Sequence, residues 1–543
     1  MTPPSIDEIP ANPGRRQTVR KLFSESITAT STHALFVLLL AIDIIRTLRH
    51  AMWRDELEIF SIALGSSSLA DLLVRMRYEA HPALWYLLVW FVTRATSDPM
   101  SMQILHIGLA VGVWVIVYLW SPFSRFEEIL LLLSYFLFWE YFVISRNNVL
   151  IALTAFSFII LREQRPRPDF VLWLMLGLLS NAHLYGAIWS IALAPMFAME
   201  SARSRVASLA GPVVYLSLLV FAVATMVPPA DFRLFGRAPL PPDFSVWGYN
   251  FWFSISRLNT DLSTPVGAFL PFNTAAVGDA IAYLAHPATA SFPSFWNLNP
   301  TDELVTLLHA DTNHPVRLAL VYAAPVIACW LIARQRLLVL EFALVYVGII
   351  LFENIWSFPG GARHHGVVFL AFVAAVWSFR ARRSPSAWAV GLFIVILMAN
   401  ACGGLLSLAS ELRPFSEGYD AAAWLKQNHL ETAFIIASRD GPARSVAGYL
   451  GRDIYYLGCE CTFPEENANF RASLSPEEFG QRLAKGVAAA GQREVILIRN
   501  EPLAAAELKP GAPNLSATLL KSFTDAVTNE NFWIYRLNAQ QAP

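Results

Sequence analysis

From about residue 32 to residue 410 the sequence is a succession of apolar runs, and the short segments between them gather arginines in a recurring pattern. The runs lie near 32–48, 82–93, 102–120, 128–144, 147–161, 169–182, 184–199, 206–227, 316–333, 337–352, 364–379 and 387–410. Several approach the roughly 20 residues a helix needs to cross the hydrocarbon core of a bilayer. The rest of the composition agrees: 543 residues are 55% hydrophobic and only 15% charged, far more apolar than a soluble chain of this length. The expected class is a polytopic α-helical membrane protein. A formal net charge of -1 excludes a globally basic nucleic-acid binder, so no nucleic-acid partner is expected.

Arginine placement orients the runs. The tail 1–31 carries Arg15, Arg16, Arg20 and Lys21 just before the first span, which places it in the cytoplasm. That tail is polar and no small-residue cleavage site follows the first run, which is therefore expected to stay as a signal anchor. Arg162, Arg165 and Arg167, then Arg203 and Arg205, then Arg334 and Arg336, then Arg380, Arg382 and Arg383 fall at every second loop. They share the cytoplasmic side only if one run before residue 162 does not cross. The run 82–93 is too short, begins at His81-Pro82 and ends near Arg94, so it is expected to dip into the membrane from outside. About eleven crossings of the inner (plasma) membrane remain.

This topology divides the chain into the tail, a transmembrane domain over 32–414 and an extracytoplasmic domain over 415–543. The outside loops are then 51–101, 145–148, 181–185, 228–315 and 353–365. The 228–315 segment is rich in Pro, Phe, Trp and Asn and is expected to cover the outer face as a lid. Beyond the last run, helical and strand patterns alternate: helices over 419–428, 443–450 and 476–490, strands over 433–437, 453–457 and 494–499. A small α/β domain follows from that alternation, with no glycine-rich phosphate loop before any of its helices. Cys329 and Cys402 sit in apolar runs as packing residues, while Cys459 and Cys461 stand at a spacing awkward for a mutual disulfide, leaving a metal or redox role open.

Acids, bases and rings collect in the first outside loop. Asp55 and Glu56 follow the first span directly, beside Arg54, and Arg75, Arg77, Glu79, His81 and Tyr86 come next. Ionisable residues at membrane depth are costly and tend to mark function, although a solvated charge pair at a helix end is the plainer alternative. A carboxylate beside cations can remain ionised as a base, and Arg side chains can neutralise a phosphate. Other outside loops add Arg146 with Asn147 and Asn148, His183 with Asn181 and Tyr185, and Arg363-His364-His365 after Gly360-Gly361. Each of these has an alternative as a helix-end anchor or a satisfied polar cap. No helical His spacing of the HxxxH type supports a metal site.

The Asp-Glu pair after the first span, the amphipathic helix over 69–77 and the element His81-Pro82-Ala83-Leu84-Trp85-Tyr86 together resemble the first extracytoplasmic loop of GT-C glycosyltransferases, nearest the protein O-mannosyltransferase and aminoarabinose transferase branch. The resemblance covers about the first 200 residues and beyond them is architectural. It implies transfer of a sugar from a polyprenyl-phosphate carrier to a glycan, lipid or protein acceptor on the extracytoplasmic face. Asp55 matches the family's first-loop acid in position, with Glu56 beside it. It implies substrate contacts from Arg54, Arg77, Glu79, His81, Tyr86, Arg146, His183, Tyr185, Arg363 and His364, with basic groups among them steadying the leaving phosphate. Where the family often carries a second acid, this chain has Asn147 and Asn148, a poor set for a hard divalent cation, so no metal ligand is assigned although a divalent cation stays open as a cofactor. A transporter or flippase of lipid-linked sugars is the main alternative, and a glycan polymerase or ligase the third. A transporter is expected to show polar groups in the middle of its spans or related halves, and Asp43 and Glu341 stand alone in theirs.

Overall fold

The computed structural model describes residues 27–164, 166–202, 209–229, 264–271, 285, 315–356, 360–462, 473–508 and 510–539. Most of the tail and nearly all of the 228–315 segment expected to form a lid lie outside the described residues. The helical part runs α1 (Ile27–Arg49), α2 (Arg54–Gly65), α3 (Leu69–Arg75), α4 (Leu84–Thr93), α5 (Met100–Trp120) and α6 (Arg125–Leu132). After a π-helical turn (Phe136–Glu140) come α7 (Asn148–Arg162), α8 (Asp169–Ala182), α9 (Leu184–Ser201), α10 (Ala210–Met226), α11 (Pro315–Leu331), α12 (Arg336–Trp356), α13 (Ala362–Arg382) and α14 (Ala387–Leu406).

Among the described residues, five helices are long and apolar enough to cross a membrane: α1, α5, α12, α13 and α14. Their enclosure differs. The apolar window of α13 is 83% buried and that of α1 only 22%, so α13 is the axis of the bundle and α1 lies on its rim. The ten-residue α4 spans about 15 Å, half of the hydrocarbon core, as its shortness in the sequence led us to expect. The run 128–144 departs from expectation. It is not one helix: α6 stops at Leu132, a π turn follows, and the chain through Tyr141–Asn147 is irregular. Continuous apolarity hid the break because these residues are buried inside protein on every side.

Helix ends segregate into two groups. At one end Arg162 binds both Glu200 and Glu341, at 2.5 and 2.6 Å, Arg167 binds Asp169, and Arg382 binds Glu163. These tie the last turns of α7, α9 and α13 to the first turns of α8 and α12. Glu341 is therefore paired and not alone, and Asp43 is paired too, with Arg46 at 2.9 Å. The unusual polar residues of the alternate loops meet at the opposite end.

The C-terminal domain continues with α15 (Gly418–Gln427), β1 (Phe434–Ala437), α16 (Asp440–Leu450), β2 (Tyr455–Tyr456), α17 (Pro476–Ala490), β3 (Val495–Arg499), α18 (Ala505–Leu508), β4 (Leu515–Phe523) and β5 (Phe532–Ala539). The sheet order is β2-β1-β3-β5-β4. β1 pairs in parallel with β2 and β3, and both β1 and β3 are buried along their whole length, as parallel strands covered by helices must be. β5 pairs antiparallel with β3 and β4. The helices and the first three strands fall close to the expected ranges; the β4–β5 hairpin is additional. Cys459 and Cys461 form a disulfide with a Cα–Cα distance of 5.2 Å, against expectation. The reason is local backbone: Glu460 takes a left-handed conformation at φ 54°, which folds the short loop back on itself.

The domain sits on the segment that follows α1. α16 packs against α2, and Gly448 is what permits the approach, since a Cβ there would overlap the Leu57 side chain. Arg444 pairs with Glu58, and the Tyr449 hydroxyl accepts the Met52 N–H at 2.8 Å.

Candidate active site

The sequence Trp53-Arg54-Asp55-Glu56 begins α2, and the two acids occupy its first turn, where carboxylates favour the positive end of the helix. They have different surroundings. Glu56 is fully buried and reaches back to accept the Trp53 N–H at 3.3 Å, the return half of a capping box. The same carboxylate accepts the Ser145 N–H at 2.7 Å and binds His50 Nε2 at 3.1 Å. Glu411 approaches the other ring nitrogen of His50 at 3.5 Å. Burial pulls the His50 pKa down, but the two carboxylates more than offset it and lift it to about 10. Glu56 is thus one part of a charged knot that joins the end of α1, the start of α2 and the irregular segment before α7.

Asp55 faces the other way. Its Oδ2 accepts from Arg146 Nη1 at 2.5 Å and from Arg363 Nη1 at 2.8 Å, and Arg54 Nε lies 3.7 Å from Oδ1. Its side chain is 21% exposed, so it reaches solvent while its partner Arg146 is buried. Burial would raise the Asp55 pKa, yet Arg146, Arg363 and Arg54 hold it well below the usual carboxylate range. It is ionised at any physiological pH.

The irregular chain brings these arginines together. The π turn ends at Glu140, and π turns recur at functional sites because they re-aim side chains. Arg146 follows in the irregular stretch before α7, and the Tyr141 hydroxyl donates to the Arg363 carbonyl at 2.6 Å, fixing the start of α13. Glu140 lies within the field of both arginines. Gly360, at φ +66°, lets the loop into α13 pass close over Glu353 and His365, where any side chain would collide.

A row of rings borders this centre. The ring of His183 lies 5.5 Å from that of His81 and 5.7 Å from that of His364, and Tyr185 is 5.6 Å from His364. His183 also accepts the Tyr185 N–H at 3.1 Å, so it caps α9 as well as facing the site. The Tyr185 hydroxyl donates to Glu353 at 2.5 Å, and His365 meets the same oxygen at 2.9 Å. Burial, with Arg146 and Arg363 nearby, lowers the His81 pKa to about 3. His81 is therefore a neutral donor and acceptor and contributes no positive charge. Ala80, just before it, is held at φ 53°, a strained conformation of the kind that surrounding structure must enforce. Tyr86 lies beside Glu79 and within the field of Asp55.

The expected residues Arg54, Asp55, His81, Tyr86, Arg146, His183, Tyr185, Arg363 and His364 thus converge. Arg77 does not join them: it is exposed, and its guanidinium is engaged with the Tyr78 hydroxyl at 3.0 Å. Reasoning from sequence missed His50, Glu353, Glu411 and Glu530, whose partners are distant in the chain. Among the described residues no group of three or more His, Cys, Asp or Glu side chains is arranged to hold a metal ion. The donor set around Asp55, two to three guanidiniums against one carboxylate, is suited to an anion. No protein-family model, curated protein or solved structure matches the chain.

Proposed function

We propose that the protein is a membrane glycosyltransferase that moves a sugar from a polyprenyl-phosphate carrier to an acceptor on the extracytoplasmic face, with Asp55 as base and Arg146 and Arg363 on the phosphate. The observation that carries this reading is the single Asp55 oxygen shared by two guanidiniums at one end of an apolar bundle. A lipid-linked phosphate presents its charge where membrane helices end, and a guanidinium fork fits phosphate oxygens in pairs. The sugar would stand between the arginines and Asp55, bordered by Tyr86 and the neutral ring of His81, which suit its hydroxyls.

In this mechanism the acceptor oxygen attacks the anomeric carbon while the bond from that carbon to the phosphate oxygen breaks. The bonding pair leaves with the phosphate, whose growing charge the arginines stabilise, and the acceptor proton passes to Asp55. The leaving group is already activated, so no nucleotide is required.

The topology belongs to the same reading: about eleven crossings with α4 dipping from outside, the N-terminus cytoplasmic and the C-terminal domain extracytoplasmic. Three observations support it. The arginine-rich helix ends gather away from Asp55, α4 is too short to cross, and the Cys459–Cys461 disulfide fits an oxidising compartment. The transporter alternative gains little, because the ion pairs of Arg162 and of Asp55 lie toward helix ends. The test is mass spectrometry of the lipid that co-purifies, followed by transfer from it with the wild type and Asp55→Asn. A co-purifying prenyl phosphate sugar and a transfer activity lost in the variant are expected; undiminished transfer by the variant, or retention of no prenyl phosphate species, would remove the proposal's basis.

A further inference from the structure

We propose that Asp55 stands in for the donor phosphate when no donor is bound: its carboxylate bridges Arg146 and Arg363, and the incoming phosphate takes over both guanidiniums and sets the carboxylate free. This rests on the glycosyltransferase reading and adds to it an order of events and a reason for the arrangement.

The geometry is that of an occupied anion site. One oxygen, Oδ2, receives a hydrogen bond from each arginine, at 2.5 and 2.8 Å. A guanidinium has five N–H donors, and each of these two gives one to Asp55, so most of the fork is uncommitted to it. Asp55 engages both arginines through one oxygen and is tethered to α2, whereas the two non-bridging oxygens of a mobile phosphodiester can each take one guanidinium. The anion that gives each arginine an oxygen of its own therefore displaces the one that divides a single oxygen between them. Arg363 is 24% exposed and Asp55 21%, so the bridge is open on one side, where an anion can enter.

The swap also resolves a chemical conflict. A carboxylate held by Arg146, Arg363 and Arg54 is a poor proton acceptor, because each cation favours its charged form. Once a phosphodiester draws the two bridging arginines off the carboxylate and sets its own negative charge beside them, Asp55 regains proton affinity toward that of a general base. The groups it then meets are present. Arg54 remains beside it, neutral His81 and the Tyr86 hydroxyl lie within its field, and Glu140 faces the arginines from the π turn. Proton transfer from acceptor to Asp55 accompanies cleavage of the anomeric carbon–oxygen bond. When that proton passes to water, the carboxylate closes on the arginines again and favours departure of the lipid phosphate. Asp55 is thus a catalytic residue during transfer and an internal competitor before and after it.

Competition makes a prediction opposite in sign to that for an ordinary contact residue. The probe is a short-chain polyprenyl phosphate without sugar, titrated into the full-length protein in nanodiscs and read by calorimetry, so turnover plays no part. Asp55→Asn should bind it more tightly, by about tenfold, the scale of typical coupling between two linked sites. Asp55→Glu should bind like the wild type, Arg363→Ala should bind far more weakly, and Asp55→Ser should repeat the Asn result if Asn perturbs folding. Equal or weaker binding by both neutral variants, with wild-type binding intact, would overturn the stand-in role and leave the transferase reading in place. Failure of the wild type and every variant to bind the probe would overturn both.

Discussion

Glu530, in the loop between β4 and β5, accepts the backbone N–H of Arg54 at 3.0 Å across 476 residues of sequence. The first N–H groups of a helix have no partner within it, and the indole of Trp53 can only donate, so α2 lacks a side-chain cap of its own. The C-terminal domain supplies an acceptor. Asn529 extends the contact by accepting from the Arg54 guanidinium at 3.1 Å, and Ser416 holds the second Glu530 oxygen at 2.6 Å. The helix that presents Asp55 is thus completed only when the domain is seated, which gives the domain a structural part in holding Asp55.

That contact is pH-sensitive. Burial raises the Glu530 pKa from 4.5 to about 7, with Ser416 and Arg54 only partly opposing it. Because the folded value lies above the unfolded one, the folded state holds the extra proton between these values and stability falls as pH rises through that window. The effect is complete below about pH 4.5 and gone above about 7, on the order of 3 kcal/mol in all. Melting of the detergent-solubilised protein should shift downward between pH 5 and 7, and Glu530→Gln, which keeps the acceptor but cannot ionise, should flatten that slope. A slope unchanged in the variant would assign the pH response elsewhere.

The neighbouring acids separate by kind of failure. On the proposed mechanism Asp55→Asn removes the charge that takes a proton, so transfer should fall about a hundredfold or more while the protein stays folded. Glu56→Gln leaves cationic His50 without its closest carboxylate in a buried setting, which costs about 3 kcal/mol of stability. Its activity per folded molecule should stay near that of the wild type. Measuring melting and turnover together decides the matter; normal stability with lost turnover in Glu56→Gln would move the chemistry to Glu56.

Arg363 tests the clamp by shape. Arg363→Lys preserves the positive charge but replaces a planar fork with a point charge on a flexible stem. Prenyl phosphate affinity should drop by about tenfold, and turnover at saturating donor should drop as well if, as proposed, the arginine acts on the leaving charge. Wild-type affinity in the lysine variant would reduce the clamp to simple charge neutralisation.

How much of this was legible in the sequence depends on the distance over which each signal acts. The helices of the C-terminal domain were legible because local periodicity and caps set them, as Ser475 and Glu478 do for α17. β4 and β5 were missed since β4 is an exposed edge strand with no clear alternation. Asp55, Arg146 and Arg363 were marked as candidates by charge next to apolar runs, but that they share one oxygen across 91 and 308 residues lies in tertiary packing. The role of Glu56 was hidden for the same reason: Ser145 comes to it, and Glu411 to its partner His50, only after folding. The break in the run 128–144 was invisible because hydropathy measures burial and does not distinguish a π turn from a helix.

Orientation in the membrane has a direct test. Ser416 is buried against Glu530 and unsuitable for labelling, whereas Asn428 is exposed at the end of α15. Asn428→Cys, placed in a background with Cys329 and Cys402 replaced by serine, leaves Cys459 and Cys461 joined and a single thiol to react. An impermeant maleimide should label it on intact cells, because the short basic loops lie at the helix ends opposite the site and draw those ends to the cytoplasm. Alkylation of the unreduced wild-type protein should count two thiols of the four cysteines, since only Cys329 and Cys402 are free. Labelling of Asn428→Cys only after permeabilisation, together with four free thiols, would place the domain and Asp55 in the cytoplasm. A lipid-linked donor that has already crossed the membrane would then be out of reach of the site.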